Sequence, residues 1–217
     1  MSVQLTTRKS LRWVPDEPSE PTSTLVFDIG TYFIDLRVNK HDSSIDWGMA
    51  GKKATLSEKP LKFQWTKEIC SMGTEASDDI AEFEIFDNGD AFEKGEMPNP
   101  ANGNKVQAFE EVWGDMPITS SEQPAWVLRR KDEDAITYIG RIADHYQVLR
   151  KDTKGNFMAL REESVGGTWQ PQYAIGGGNL PSIRALGEQA FDARSWSVGN
   201  DIEVDGRSYS VLAVEKI

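Results

Sequence analysis

Two short stretches carry the side chains best suited to chemistry. KVQAFEEVWGD (105–115) places adjacent glutamates, Glu110 and Glu111, among apolar residues, and YIGRIADHYQ (138–147) brings Arg141, Asp144, His145 and Tyr146 together. A histidine with an ordinary pKa near 6.5 exchanges a proton at neutral pH, and a nearby guanidinium can stabilise an enolate or carboxylate. Read as one continuous strand, the second stretch sets His145 on the face of Ile139, Arg141 and Ala143, with Asp144 on the face of Ile142 and Tyr146. His145, Arg141, Glu111 and Tyr146 are then the candidate catalytic set for a cofactor-free isomerisation, cyclisation or dehydration. Strand geometry also separates the two glutamates, because neighbours on a strand point to opposite faces. Glu111, between Phe109 and Trp113 on its own face, is the candidate for the inside of a barrel. Burial there raises a carboxyl pKa unless an arginine, Arg37 or Arg141, pairs with it. The structural alternatives are the commoner fate of such residues: Glu111 tied to an arginine inside a barrel, and His145 as a satisfied or exposed strand residue.

The aromatic residues suggest a binding role. Trp47, Trp65, Trp113 and Trp169 fall in strand-like stretches and are either core residues or, with Arg37, the lining of a cavity for a small apolar or aromatic ligand. No cofactor motif stands out: YAIGGGNLPS (173–182) has neither the P-loop nor the dinucleotide spacing, and reads as a flap or a plain connection. His41 and His145 sit in no ligand cluster, so no metal is expected. Cys70 has no cation nearer in sequence than Lys67 and is expected to be inert.

Composition narrows the classes further. The 217 residues carry 35 acidic against 24 basic side chains, a net charge of −11, which works against a phosphate-backbone partner. The short basic run Arg129-Arg130-Lys131 leads straight into Asp132-Glu133-Asp134 and reads as a solvated strand end. No apolar run is long enough for a spanning helix, the lone cysteine forms no internal disulfide, and MSVQLTTRKS lacks a signal-peptide core. A cytoplasmic protein is the expectation, with a nuclear setting as the secondary alternative; oligomeric state is not legible.

Period-two alternation dominates, in LVFDIGTYFIDLRV (25–38), LKFQWTKEI (61–69), AITYIGRIADHYQVL (135–149) and RSYSVLAVEKI (207–217). The helical candidates are LPSIRALGEQAF (180–191) and, ambiguously, SDDIAEFEIF (77–86). Ordered self-matches point to two copies of one plan: Trp13-Val14 with Trp126-Val127, Gly30 with Gly140, Leu36-Arg37 with Leu149-Arg150, Trp65 with Trp169, and Gly103 with Gly206. Residues 1–116 and 117–217 are the expected halves, joined through GDMPITSSEQPA (114–125). PDEPSEPTS (15–23) reads as a surface loop, and EKGEMPNPANGN (93–104) as a long irregular hairpin turn.

RWVPDEPSEPTSTLVF (12–27), FIDLRV (33–38), DWGMAG (46–51), EKGEMPNPANG (93–103) with AFEEVW (108–113), and ITYIGR (136–141) together resemble the fungal Hri proteins. The resemblance runs from about Trp13 to Leu149 and thins in the last third. It implies a mostly-β protein of two lipocalin-like antiparallel β-barrels in pseudo-duplicate arrangement with one or two short helices, a fungal source, and a protein partner such as a casein kinase. It carries over no catalytic residue. The chain departs from the family at IADHYQ (142–147), where the family pattern continues with uncharged residues and a Gln-Gly pair, so a divergent member with its own chemistry is one expectation. Two functions follow: a small-molecule-binding barrel, with cofactor-free catalysis as in secondary metabolism, or a non-catalytic interaction protein.

Overall fold

The computed structural model describes residues 3–103, 105–118 and 123–217. The first half contains β1 (Val3–Trp13), β2 (Thr22–Ile29), β3 (Tyr32–Asn39), β4 (Ile45–Glu58), β5 (Leu61–Cys70), β6 (Asp79–Ile85), β7 (Ala91–Asn99) and β8 (Lys105–Asp115). The second half contains β9 (Ala125–Lys131), β10 (Ala135–Ile142), β11 (His145–Asp152), β12 (Phe157–Val165), β13 (Thr168–Ile175), β14 (Asp201–Val204) and β15 (Arg207–Glu215). Strands β1 to β8 close into an antiparallel barrel through the β1–β8 pairing. The others form a seven-stranded sheet in the order β13-β12-β11-β10-β9-β15-β14. That order repeats the first barrel with one strand missing, since β15 pairs with β9 as β8 pairs with β1. The 3-10 helix Ile183–Ala190 occupies the chain interval where the sixth strand would come.

This is the expected mostly-β double-barrel plan, with the second barrel left open. The hairpin that pairs Ile29 with Tyr32 recurs, 113 residues on, as Ile142 with His145, and the Leu36-Arg37 match holds at the same offset. Other matches are not equivalent. Trp13 ends β1 whereas Trp126 lies near the start of β9, and the turn at Gly30 corresponds to Ala143 rather than Gly140. Gly140 has a different job. A Cβ there would lie 2.6 Å from Ile34 Cδ1 and 3.1 Å from Phe27 Cδ2, so only glycine lets β10 approach the first barrel this closely.

Two local expectations need correction. SDDIAEFEIF forms strand β6, because its apolar alternation is satisfied by pairing with β5 and β7. EKGEMPN is most of β7, and only the 3-10 turn Pro100–Asn102 with Gly103 remains of the long turn. Gly95 belongs to β7 because the Phe109 ring covers it: a Cβ would meet Phe109 Cε1 at 2.9 Å. The polar amino-terminal segment forms strand β1.

The largest core lies between the halves. Leu25, Phe27 and Ile29 of β2 and Ile34, Leu36 and Val38 of β3 point outward from the barrel onto Val127, Tyr138, Ile142, Leu149 and Ala213 of the second sheet. Buried polar groups here are matched. Arg161 donates to Leu36 O at 2.6 Å and to Ser23 Oγ at 3.0 Å, and Gln147 donates to Leu25 O at 3.3 Å. The far face of the second sheet wraps its own filling, with Trp126, Leu128, Ile139, Tyr146 and Val148 packed on Ile183, Leu186 and Ala190.

Candidate functional site

The positions expected to do acid–base chemistry are not brought together. Ile142 and His145 flank a two-residue hairpin turn, with Ala143 at φ 48°, so the stretch is two strands and not one. Cross-strand partners share a face, so His145 faces with Ile142 while Arg141 faces with Tyr146. The predicted His145–Arg141 pairing is therefore lost at the turn. His145 Nδ1 lies 3.6 Å from Glu163 and has no hydrogen-bond partner. Tyr146 is fully buried; its hydroxyl donates to Pro181 O at 2.7 Å, and burial raises its pKa well above the ordinary value. Arg141 donates to Ala190 O at 3.3 Å, stands 5.1 Å from the Phe191 ring and 5.9 Å from Trp169, and is pulled down to about 10 by burial against the attraction of Asp144. Together with Trp126, whose indole N–H donates to Ala190 O at 3.0 Å, these side chains anchor the segment around the 3-10 helix inside the second half. Trp169 packs against Phe191 at 6.2 Å in the same region.

The other candidates converge inside the first barrel. Glu110 and Glu111 part as strand geometry requires: Glu110 meets Arg12 at 2.5 Å outside, while Glu111, 3% exposed, points inward. Glu111 accepts from Arg8 at 2.5 Å and from Arg37 at 3.4 Å, so the arginine expected for it is present along with a second. Arg8 also donates to Glu20 at 2.6 Å, and Arg37 donates to Asp35 at 2.9 and 3.0 Å. The Arg37 guanidinium stands 5.0 Å from the Trp47 ring and 5.3 Å from the Trp113 ring, an arrangement that holds its cation by the quadrupoles of both indoles. Trp65 enters the same lumen lower down, against Phe63 at 6.0 Å and Phe83 at 5.9 Å. Trp47 donates its indole N–H to Cys70 Sγ at 3.3 Å, and Cys70 is buried.

Glu93 completes the constellation. It is paired across the β7–β8 ladder with Glu111, so both carboxyls face the lumen, and it accepts the Trp113 indole N–H at 2.9 Å. Burial pushes its pKa up to about 8, and the Glu111 charge adds to this against the pull of Arg37. Glu93 therefore keeps its proton at neutral pH. Asp35, 2% exposed, is likewise raised by burial in opposition to Arg37, and its Oδ1 has no hydrogen-bond partner. On Arg37 burial works against the charge, but Asp35 and Glu111 more than offset it and its pKa rises. Trp47, Trp65 and Trp113 all point into this barrel and are only partly buried. Chemically it offers aromatic walls, a neutral carboxyl able to donate or take a proton near neutral pH, and an unpartnered carboxylate oxygen.

Arg8, Asp35 and Glu93 were missed from the sequence. Asp35 could have been found, because it shares its strand face with Phe33 and Arg37 in FIDLRV. Arg8 and Glu93 lie in stretches that did not read as strands. No group of three or more His, Cys, Asp and Glu side chains arranged to hold a metal ion occurs among the described residues.

The family model described as Protein HRI1 matches residues 4–213. The chain belongs to the HRI1 family. A solved structure of the uncharacterized protein YLR301w from Saccharomyces cerevisiae superposes with a TM-score of 0.78 at 16% identity, covering 99% of this chain and 100% of that one. At that identity the likeness is one of fold. No curated protein matches the chain. The HRI1 relationship thus agrees with the resemblance in the middle of the sequence and extends it through the last third. In this HRI1 chain the lumen of the first barrel, rather than the hairpin at His145, is where the polar and aromatic candidates assemble.

Proposed function

We propose that this is a barrel-type ligand-binding protein whose first barrel takes a small, planar aromatic molecule carrying a hydrogen-bond donor. The observation that carries the reading is the lumen itself: three partly exposed tryptophans around Arg37, with Asp35 Oδ1 left without a partner. Small-molecule sites combine apolar walls with a few placed polar groups, and a buried acceptor without a partner costs roughly 1–3 kcal/mol that a ligand donor would recover. Asp35, Glu111 and Glu93 around Arg8 and Arg37 disfavour an anionic ligand. The second half is a poorer host because the 3-10 helix Ile183–Ala190 already occupies its concave face. Any proton transfer in the first barrel would use Glu93, since His145, Arg141 and Tyr146 are placed elsewhere.

The test is a titration with indole and 2-naphthol, followed by tryptophan fluorescence, against indole-3-acetate as the anionic comparison. Saturable binding of the neutral probes, weakened in Asp35→Asn and Trp113→Ala and absent for the anion, supports the reading. Binding that neither substitution alters refutes it. The interaction-protein reading is kept for one observation: Ile80 and Ile85 of β6 are each 55% exposed and Phe86 beside them 39%. A protein partner, the casein kinase of the resemblance being one, would have to protect β6 amides from hydrogen exchange.

A further inference from the structure

We propose that the second half carries an anion site, built for the phosphate group of a small phosphomonoester, where β9 ends beside β15. A groove of about 450 Å³ lies there, lined by the cations Arg129, Arg130, Lys131 and Arg207 and by the hydroxyls of Ser208 and Ser210. Four cations around one groove stand out in a chain of net charge −11. The acids in the groove are already engaged. Asp132 binds Arg130 Nε at 2.6 Å, and Asp201 accepts from Ser210 Oγ at 2.7 Å. Arg129 is committed to Glu68 at 3.2 Å. Lys131 and Arg207 enter no ion pair among the described residues, and Nη1 of Arg130 is buried without a hydrogen-bond partner.

A second line of residues reaches the same end of the sheet. Arg130, Thr137 and Arg150 are cross-strand neighbours on β9, β10 and β11, and the Nε of Arg150 is also buried without a partner. Burial raises the pKa of the Tyr209 phenol, while the charges of Arg130, Arg207 and Arg150 pull against that rise and Asp132 adds to it. Of the acidic run that follows in sequence, Asp132 lines the groove and neutralises Arg130, whereas Glu133 lines the neighbouring cleft and Asp134 lines neither. Unsatisfied guanidinium N–H groups are costly, and a phosphate supplies several acceptor oxygens in the planar geometry that arginine matches. The groove is polar and of small-molecule size, which suits a phosphorylated metabolite or free phosphate better than an apolar ligand. Nothing in this site overlaps the lumen of the first barrel.

The test uses the full chain at low ionic strength, with isothermal titration of inorganic phosphate and of O-phosphoserine. The exposed substitutions Lys131→Glu and Arg207→Glu, which leave the core untouched, are compared with Lys94→Glu on the first barrel. The expected result is saturable binding weakened at least about tenfold by either K131E or R207E and unchanged by K94E, the loss of one charge-assisted contact being enough for that factor. Tighter binding of O-phosphoserine marks a monoester as the ligand, and equal binding marks free phosphate. No saturation, chloride competing as well as sulfate at equal ionic strength, or equal losses in all three variants would overturn the proposal.

Discussion

Replacing Glu93 with glutamine should change how stability depends on pH, in a direction fixed by the lumen. In the folded chain Glu93 keeps its proton up to about pH 8, whereas in the unfolded chain it ionises near 4.5. Below 4.5 both states hold the proton and the group contributes no pH dependence. Between 4.5 and 8 the unfolded state binds fewer protons, so stability falls as pH rises, and above 8 the loss is complete. At ~1.4 kcal/mol per tenfold change in proton affinity the ceiling is roughly 5 kcal/mol. Glu93 is only partly buried, so solvent screening reduces this, and about 2–3 kcal/mol is the expected effect. Glutamine keeps the shape and the acceptor for the Trp113 indole but cannot ionise. Urea unfolding of wild type and E93Q at pH 5 and pH 8 therefore isolates Glu93, because every other group titrates in both proteins. The variant should gain about 2–3 kcal/mol relative to wild type between those pH values. A difference that does not move with pH would mean that Glu93 ionises like a surface carboxyl, and the reasoning about the lumen would be wrong.

Arg8→Met leaves Glu111 and Glu20 short of a cation inside the barrel and should destabilise by roughly 3 kcal/mol, read by urea unfolding; a loss below about 0.5 kcal/mol would mean the ion pairs are not formed in solution. Gly140→Ala drives a methyl into Ile34 and Phe27 between the halves and should cost about 1–3 kcal/mol, visible as a lower Tm. Tyr146→Phe removes the hydroxyl that holds Pro181 and should raise hydrogen exchange across residues 180–191 while leaving probe binding in the first barrel intact. His145→Ala should leave both binding and fold unchanged within experimental error, and a loss of probe binding would return the site to the hairpin.

The fold was legible wherever alternation was clean. FIDLRV and ITYIGR announced their strands and their faces, because outward Ile34, Leu36 and Ile142 meet another apolar surface. It was illegible where an inward face is charged or a glycine makes room for a ring: EKGEMPN read as part of a turn because Glu93 occupies a position normally apolar, and Gly95 lies under the Phe109 ring. The open side of the second barrel was hidden because a 3-10 helix broken at Gly187 stands in for a strand. For the site, parity along one strand correctly split Glu110 from Glu111. The same rule failed at IADH, where a two-residue turn resets the faces and sends His145 away from Arg141. Partners contributed by distant strands, such as Arg8 for Glu111 across 103 residues, follow from barrel closure alone and have no local signal.

The proposed function depends on the lumen of the first barrel being a binding site. A crystal structure of the protein soaked with 2-naphthol addresses this directly. The probe is expected inside the barrel against Trp47 and Trp113, with its hydroxyl on Asp35 Oδ1. A probe found only on the outer surface, with the tryptophans closed over a filled interior, would contradict it.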